Sequence, residues 1–221
     1  MKLIFDALVK FSLGVVLVGA MLFLPAWTFD YPYAWLFMGL LFIPMFIAGI
    51  VMMVKSPALL KRRLDAKEKE STQKGVIALS GLIFPLGFLT SALDFRFSMS
   101  SVPFIAVVIA SVLFVFGYAM LGIVLYQNEY LSRTVKVEEG QRVVDTGLYG
   151  IVRHPMYLAT LFLFLPMPII LGSFYGLIPF AFYPVIIVVR ILNEEKLLSR
   201  ELAGYSDYMK KVKYRILPFI W

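Results

Sequence analysis

Arg153, His154 and Tyr157 fall within Gly147-Leu148-Tyr149-Gly150-Ile151-Val152-Arg153-His154-Pro155-Met156-Tyr157, and His154 is the only histidine in the chain. Pro155 suits the first turn of a helix, where its missing N–H is no loss. Arg153 and His154 are therefore expected just before a helix, near its positive end, with Tyr157 inside it. A helix N-terminus beside an arginine attracts carboxylate or phosphate. After the next long apolar run come Glu194 and Glu195. Glu194 lies four residues from Arg190 and is expected to pair with it on one helix. Glu195 then points elsewhere, and is the carboxylate more available to ribose hydroxyls or a cationic amine. In the tail, Tyr205, Tyr208 and Arg215 are candidates to wall the same site.

Each group also has a bland role. Arg153 can snorkel to lipid phosphates and Tyr157 can sit in the aromatic belt. Glu194-Glu195 can lie on a solvated helix, and the tail, ending in Phe219-Ile220-Trp221, can be an interfacial anchor. Against these stands the cost of polar groups at a membrane boundary, several kcal/mol when charge is buried, which favours a site.

The elements that must position these groups are membrane helices. Of 221 residues, 61% are hydrophobic and 16% charged, far from the balance of soluble domains. The chain has no cysteine and one histidine, which excludes cysteine-ligated and histidine-rich metal sites, and no metal is expected. The net charge of +7 sits in loops between apolar runs, so it points to membrane topology and not to nucleic acid. Met1 to Asp6 lacks the pattern of a cleaved signal and is taken as the start of a retained span. No nucleotide-cradling glycine loop, nucleophile elbow or zinc-binding histidine pair appears.

About twenty apolar residues cross a bilayer as helix. The spacing predicts spans over 7–29, 33–54, 75–93 and 103–126. The stretch 155–192 is too long for one span and breaks at Leu171-Gly172-Ser173, so it is expected to form a hairpin of two short spans. That makes about six spans in an all-α integral membrane protein, followed by a cytoplasmic or interfacial C-terminal helix. Residues 1–126 form an N-terminal four-helix region and 127–221 a C-terminal cofactor-binding region, together one membrane domain. Of the 21 lysines and arginines, only Arg96 falls in the loops opposite the others, which puts both termini in the cytoplasm. Residues 56–74 are expected to form a solvated cytoplasmic helix. Both polar clusters then lie on one side, where a water-soluble cofactor has access, while an apolar groove between the fourth and fifth spans holds a lipid tail.

The run Gly147-x-Tyr149-x-Ile151-Val152-Arg153-His154-Pro155-x-Tyr157, the Glu194-Glu195 pair, Tyr205-x-x-Tyr208 and the closing Leu217-Pro218 resemble the isoprenylcysteine carboxyl methyltransferase family, most densely over 141–221. Phospholipid N-methyltransferases share the superfamily. The resemblance implies S-adenosylmethionine on the cytoplasmic side, with Arg153 and Glu195 in catalytic roles. It places Tyr149, His154, Tyr157, Glu194, Glu195, Tyr205 and Tyr208 around the cofactor. The implied acceptor is lipophilic, isoprenylcysteine-like or otherwise prenylated, reached from membrane lipid, and the location is the cytoplasmic membrane in a bacterium. The chain departs from the family's common pattern at Leu148, where many members have proline, at Ala159, where glycine is frequent, and in the tail by a shift of one residue. The alternatives are a phospholipid N-methyltransferase, an NADPH-dependent membrane reductase with a similar C-terminal half, and a non-enzymatic scaffold.

Overall fold

The computed structural model describes residues 2–64, 71–131, 137 and 140–221, with the backbone alone at residues 2 and 71–80. The described residues form helices and no strands. In order these are α1 (Lys2–Ala26), α2 (Pro32–Lys55), α3 (Pro57–Leu64), α4 (Ser71–Phe97), α5 (Phe104–Gln127), α6 (Pro155–Phe164), α7 (Met167–Ile170), α8 (Leu177–Phe180), α9 (Tyr183–Glu201) and α10 (Tyr205–Lys211). A chain this apolar closes its backbone hydrogen bonds within each segment, because lipid offers no partners. Among the described residues four helical stretches are long and apolar enough to cross a membrane: Leu3–Ala26, Pro32–Lys55, Phe104–Gln127 and Leu177–Glu201. Pro155–Ile170 is apolar but shorter. Of the helix expected over 56–74, α3 occupies 57–64, α4 begins at Ser71, and 65–70 lie outside the described residues.

Rings pack the centre. Phe84 meets Phe164, Phe180 and Tyr183 edge to face at 4.8, 5.5 and 6.3 Å between centroids, which joins α4 to α6, α8 and α9. The Phe180 ring lies over Gly87, where an added Cβ would stand 2.2 Å from it. The groove expected between the fourth and fifth spans is closed. A Cβ at Gly117 of α5 would meet the Leu163 backbone nitrogen at 3.0 Å and the Ala159 carbonyl at 3.1 Å, so α5 and α6 touch backbone to backbone. The open apolar groove runs instead between α4 and α9.

At the end of the bundle away from His154, Asp94 holds the chain reversal that follows α7. Its carboxylate accepts from the Ser100 N–H at 2.8 Å and from the hydroxyls of Ser100 and Ser173. Tyr31 stacks on Phe95 and donates to the Leu171 carbonyl at 2.7 Å. Gly172 takes φ +75°, the left-handed turn that lets the chain reverse.

The Arg153 and His154 N–H groups donate to the carbonyls of Tyr214 and Arg215 at 2.9 and 2.8 Å, so the tail is stitched to the segment before α6. Phe219 and Ile220 remain exposed, but Trp221 lies under the Arg215 guanidinium, 5.0 Å from carbon to ring centroid.

Candidate functional site

Three segments meet at one cleft: the turn before α6, the C-terminal half of α9, and α10 with the tail. Each is set by local chemistry. Residues 147–150 form a 3₁₀ turn whose entry needs φ +60° at Gly147, where a Cβ would stand 2.2 Å from the Gln127 side chain. Gln127 accepts the Leu148 N–H at 3.0 Å, and Asn128 donates to the Tyr149 hydroxyl at 3.0 Å. The polar end of α5 thus fixes the turn. His154 caps α6 and Pro155 opens it, as the spacing predicts. Gly204, at φ +83°, starts α10.

Glu195 is 6% exposed and its two oxygens receive three donors: Arg153 Nε at 2.7 Å and His154 Nε2 at 3.2 Å on one, Arg215 Nε at 2.8 Å on the other. Arg153 also donates through Nη1 to the carbonyls of Val212 and Lys213 at 2.7 and 2.9 Å. Burying such ions is costly unless their geometry and remaining hydrogen bonds are satisfied, and here they are. Two guanidiniums share one carboxylate, so the cluster retains positive charge. Glu195 stands behind the cleft wall, whereas Arg153, His154 and Glu194 line it.

Glu194 and Arg190 meet through Tyr157, which stands between them. The Tyr157 hydroxyl accepts from Arg190 Nε at 2.9 Å and donates to Glu194 Oε2. The tyrosines of the cleft are held neutral: burial, and then the nearby carboxylates, push Tyr205 well above its usual range, and burial does the same for Tyr149 and Tyr208. Tyr208 donates to the Tyr149 carbonyl at 2.7 Å, which ties α10 to the 3₁₀ turn. A second tie, Lys211 to Asp145 at 2.7 Å, lies on the exposed side, and its hydrogen bond lowers the Asp145 carboxyl below its usual value.

The cleft is partly open to solvent. Several groups on its wall have no partner among the described residues: Arg153 Nη2, Glu194 Oε1 and His154 Nδ1. The Tyr205 hydroxyl is buried and likewise unpartnered. A buried hydroxyl without a hydrogen bond is costly, and bound ligand is one way to satisfy it. The cleft therefore presents a cationic donor, an anionic acceptor and a neutral hydroxyl.

All the residues singled out from the sequence converge here. Tyr149, Arg153, His154, Tyr157, Glu194, Tyr205 and Tyr208 line the cleft, and Glu195 and Arg215 back it. The sequence did not single out Gln127, Asn128, Tyr130 or Arg142. Gln127-Asn128 was detectable as the first amide pair after a 24-residue apolar helix. Arg142, exposed on the cleft wall, carried no local signal. Among the described residues no cluster of three or more His, Cys, Asp or Glu is arranged to hold a metal.

Residues 108–200 match the model of the isoprenylcysteine carboxyl methyltransferase family, from the second turn of α5 to the end of α9. Through this segment the chain resembles that family. The match covers Tyr149 to Glu195 and stops short of Tyr205, Tyr208 and Arg215. The chain is also 28% identical over 92 residues to mouse (Mus musculus) Delta(14)-sterol reductase TM7SF2, an alignment spanning 40% of this chain and 22% of that protein. The chain thus spans about a fifth of the length of the curated relative it matches. The matched family is one of methyltransferases by its description, and four stretches among the described residues are long and apolar enough to cross a membrane.

Proposed function

We propose that the protein is an S-adenosylmethionine-dependent methyltransferase that methylates the carboxylate of a lipophilic, isoprenylcysteine-like acceptor at the cytoplasmic face of a membrane. The unpartnered Tyr205 hydroxyl, with Arg153 Nη2 and Glu194 Oε1 on the same cleft wall, carries the proposal. When bound, S-adenosylmethionine supplies a methyl group on cationic sulfur, which a nucleophilic oxygen takes while the carbon–sulfur electron pair stays on sulfur. These residues fit its chemistry: Glu194 for its cationic part, and Tyr205, Tyr157 and His154 for its hydroxyls and ring. Tyr149 and Tyr208 shape the floor.

The chain's task is alignment and exclusion of water, which lowers the barrier without proton transfer when the acceptor is already a carboxylate. Arg153 has the catalytic role of orienting an anionic oxygen. Glu195 supports it as a positioning residue, holding Arg153, His154 and Arg215 in one geometry. On this reading 155–192 is a hairpin that crosses and returns, α4 completes a set of six spans, and both termini face the cytoplasm. The region 1–126 supplies the membrane scaffold for the cleft built by 127–221.

A second reading is a nicotinamide-dependent reductase, favoured by the stretch shared with mouse Delta(14)-sterol reductase TM7SF2. Arg215 is committed to Glu195 and Trp221, so a 2′-phosphate would fall to Arg142. Incubating the membrane-embedded protein with tritiated-methyl S-adenosylmethionine and a farnesylated N-acetylcysteine separates the possibilities. Carboxyl methylation gives label that base releases as volatile methanol. Base-stable label in phospholipid means amine methylation, and no label from wild type rejects the methyltransferase.

A further inference from the structure

The arginines on the cleft wall differ in how they are held. Arg153 is buried and gives Nε to Glu195 and Nη1 to the carbonyls of Val212 and Lys213, which leaves only Nη2 for a ligand. Arg190 is engaged with the Tyr157 hydroxyl. Arg142 is exposed, lines the same cleft, and its guanidinium has no hydrogen bond or ion pair among the described residues. Its backbone is nevertheless held in place on both sides. The Tyr130 hydroxyl donates to the Gly140 carbonyl at 3.4 Å, and Val143 packs on the small apolar cluster that contains Tyr205 and Tyr208. A segment anchored beside Tyr205 thus carries a cation with all its donors open, at the rim where a water-soluble ligand enters.

Charges on the ligands and on the wall must match. S-adenosylmethionine brings a sulfonium, an ammonium and a carboxylate, and the proposed acceptor brings a second carboxylate. Glu194 meets the cationic part and Arg153 the acceptor oxygen, so one carboxylate and one arginine are left over. We infer that Arg142 binds the carboxylate of the cofactor's amino-acid part and thereby selects ligands that keep it. The inference rests on the methyltransferase reading and deepens it by naming a specificity residue of the same cleft. A guanidinium fork suits the task because it meets a carboxylate through two parallel N–H···O bonds.

The test is calorimetry on the detergent-purified full chain with S-adenosylhomocysteine and its decarboxylated analogue, which keeps the adenosine, the sulfur and the amine. Wild type is expected to bind the parent about tenfold more tightly than the analogue, the low end for hydrogen bonds to a charged group because the rim is open to solvent. Arg142→Gln is expected to weaken the parent about tenfold and leave the analogue unchanged, so that the variant no longer tells the two apart. Arg142→Lys, which keeps the charge but not the fork, should recover part of the preference. Both variants should fold as wild type does, since the side chain is exposed and has no partner among the described residues. Arg142→Gln that weakens both ligands equally, or keeps the full preference, overturns the inference. A full preference with a raised KM for the carboxylate acceptor would also overturn it, by moving Arg142 to the acceptor. The two levels of failure are distinguishable. Binding of neither ligand by wild type rejects the methyltransferase and the inference with it, whereas binding of both with an indifferent Arg142→Gln rejects the inference alone.

Discussion

The molecule buries two kinds of carboxylate cluster at opposite ends of the bundle, and they differ in what they leave open. Asp94 is surrounded by neutral donors from Ser100 and Ser173, which lock the reversal after α7. Glu195 is surrounded by cations, and beyond it Arg153 Nη2, Glu194 Oε1 and the Tyr205 hydroxyl face a cleft without partners. A cluster that only holds a fold can be closed with neutral groups. A site must keep charge in reserve, and the excess guanidinium around Glu195 is that reserve.

The sharpest break of this contrast is Glu195→Ala. It leaves the buried Arg153 without its carboxylate, next to the part-buried Arg215, and is expected to cost about 3–5 kcal/mol, with loss of ligand binding, in denaturant titrations of the detergent-purified protein. Asp94→Ala is expected to cost less, about 2–3 kcal/mol, because the orphaned donors are neutral. Its ligand affinity should match wild type, since the cleft is at the other end. Equal loss of binding in both variants would erase the distinction between the two clusters.

Much of the site was legible because chemistry and punctuation coincide. Pro155 after His154 announced the helix start, and polar residues standing out from apolar runs announced the cleft. The division of labour between Glu194 and Glu195 was not legible. Helical register shows only that the two diverge; which one meets the cleft depends on where Tyr157 and the tail pack. The i,i+4 rule pointed Glu194 at Arg190, but Tyr157 from another helix stands between them. How the tail is joined to the cleft was not legible either, because the backbone pairing of 214–215 with 153–154 leaves no mark in side-chain type. The lipid groove was expected beside α5 because apolarity alone cannot tell which helices approach closely. Gly117 allowed the backbone contact that closes that route.

Smaller effects sharpen the contrast within the cleft. Glu194→Gln should leave stability within about 0.5 kcal/mol, since its partner Tyr157 can still donate to the amide oxygen. It should weaken S-adenosylhomocysteine or S-adenosylmethionine binding about ten- to a hundredfold by calorimetry, the range for a hydrogen bond to a charged group. Tyr205→Phe removes a hydroxyl that has no partner in the protein. The unfolding midpoint should hold or rise, while ligand affinity falls about five- to tenfold. Lys211→Ala, at the exposed Asp145 pair, should change neither quantity measurably.

The most direct measurement is thermal unfolding of the detergent-purified wild type beside Glu194→Gln, each with S-adenosylmethionine, S-adenosylhomocysteine and NADPH. A ligand that binds only the folded state at a hundredfold excess over its dissociation constant adds about 2.7 kcal/mol of stability. The account predicts that both adenosyl ligands raise the wild-type midpoint, that NADPH does not, and that the variant loses most of the shift at equal ligand concentration. Stabilisation by NADPH alone, or adenosyl shifts identical in wild type and Glu194→Gln, would contradict it.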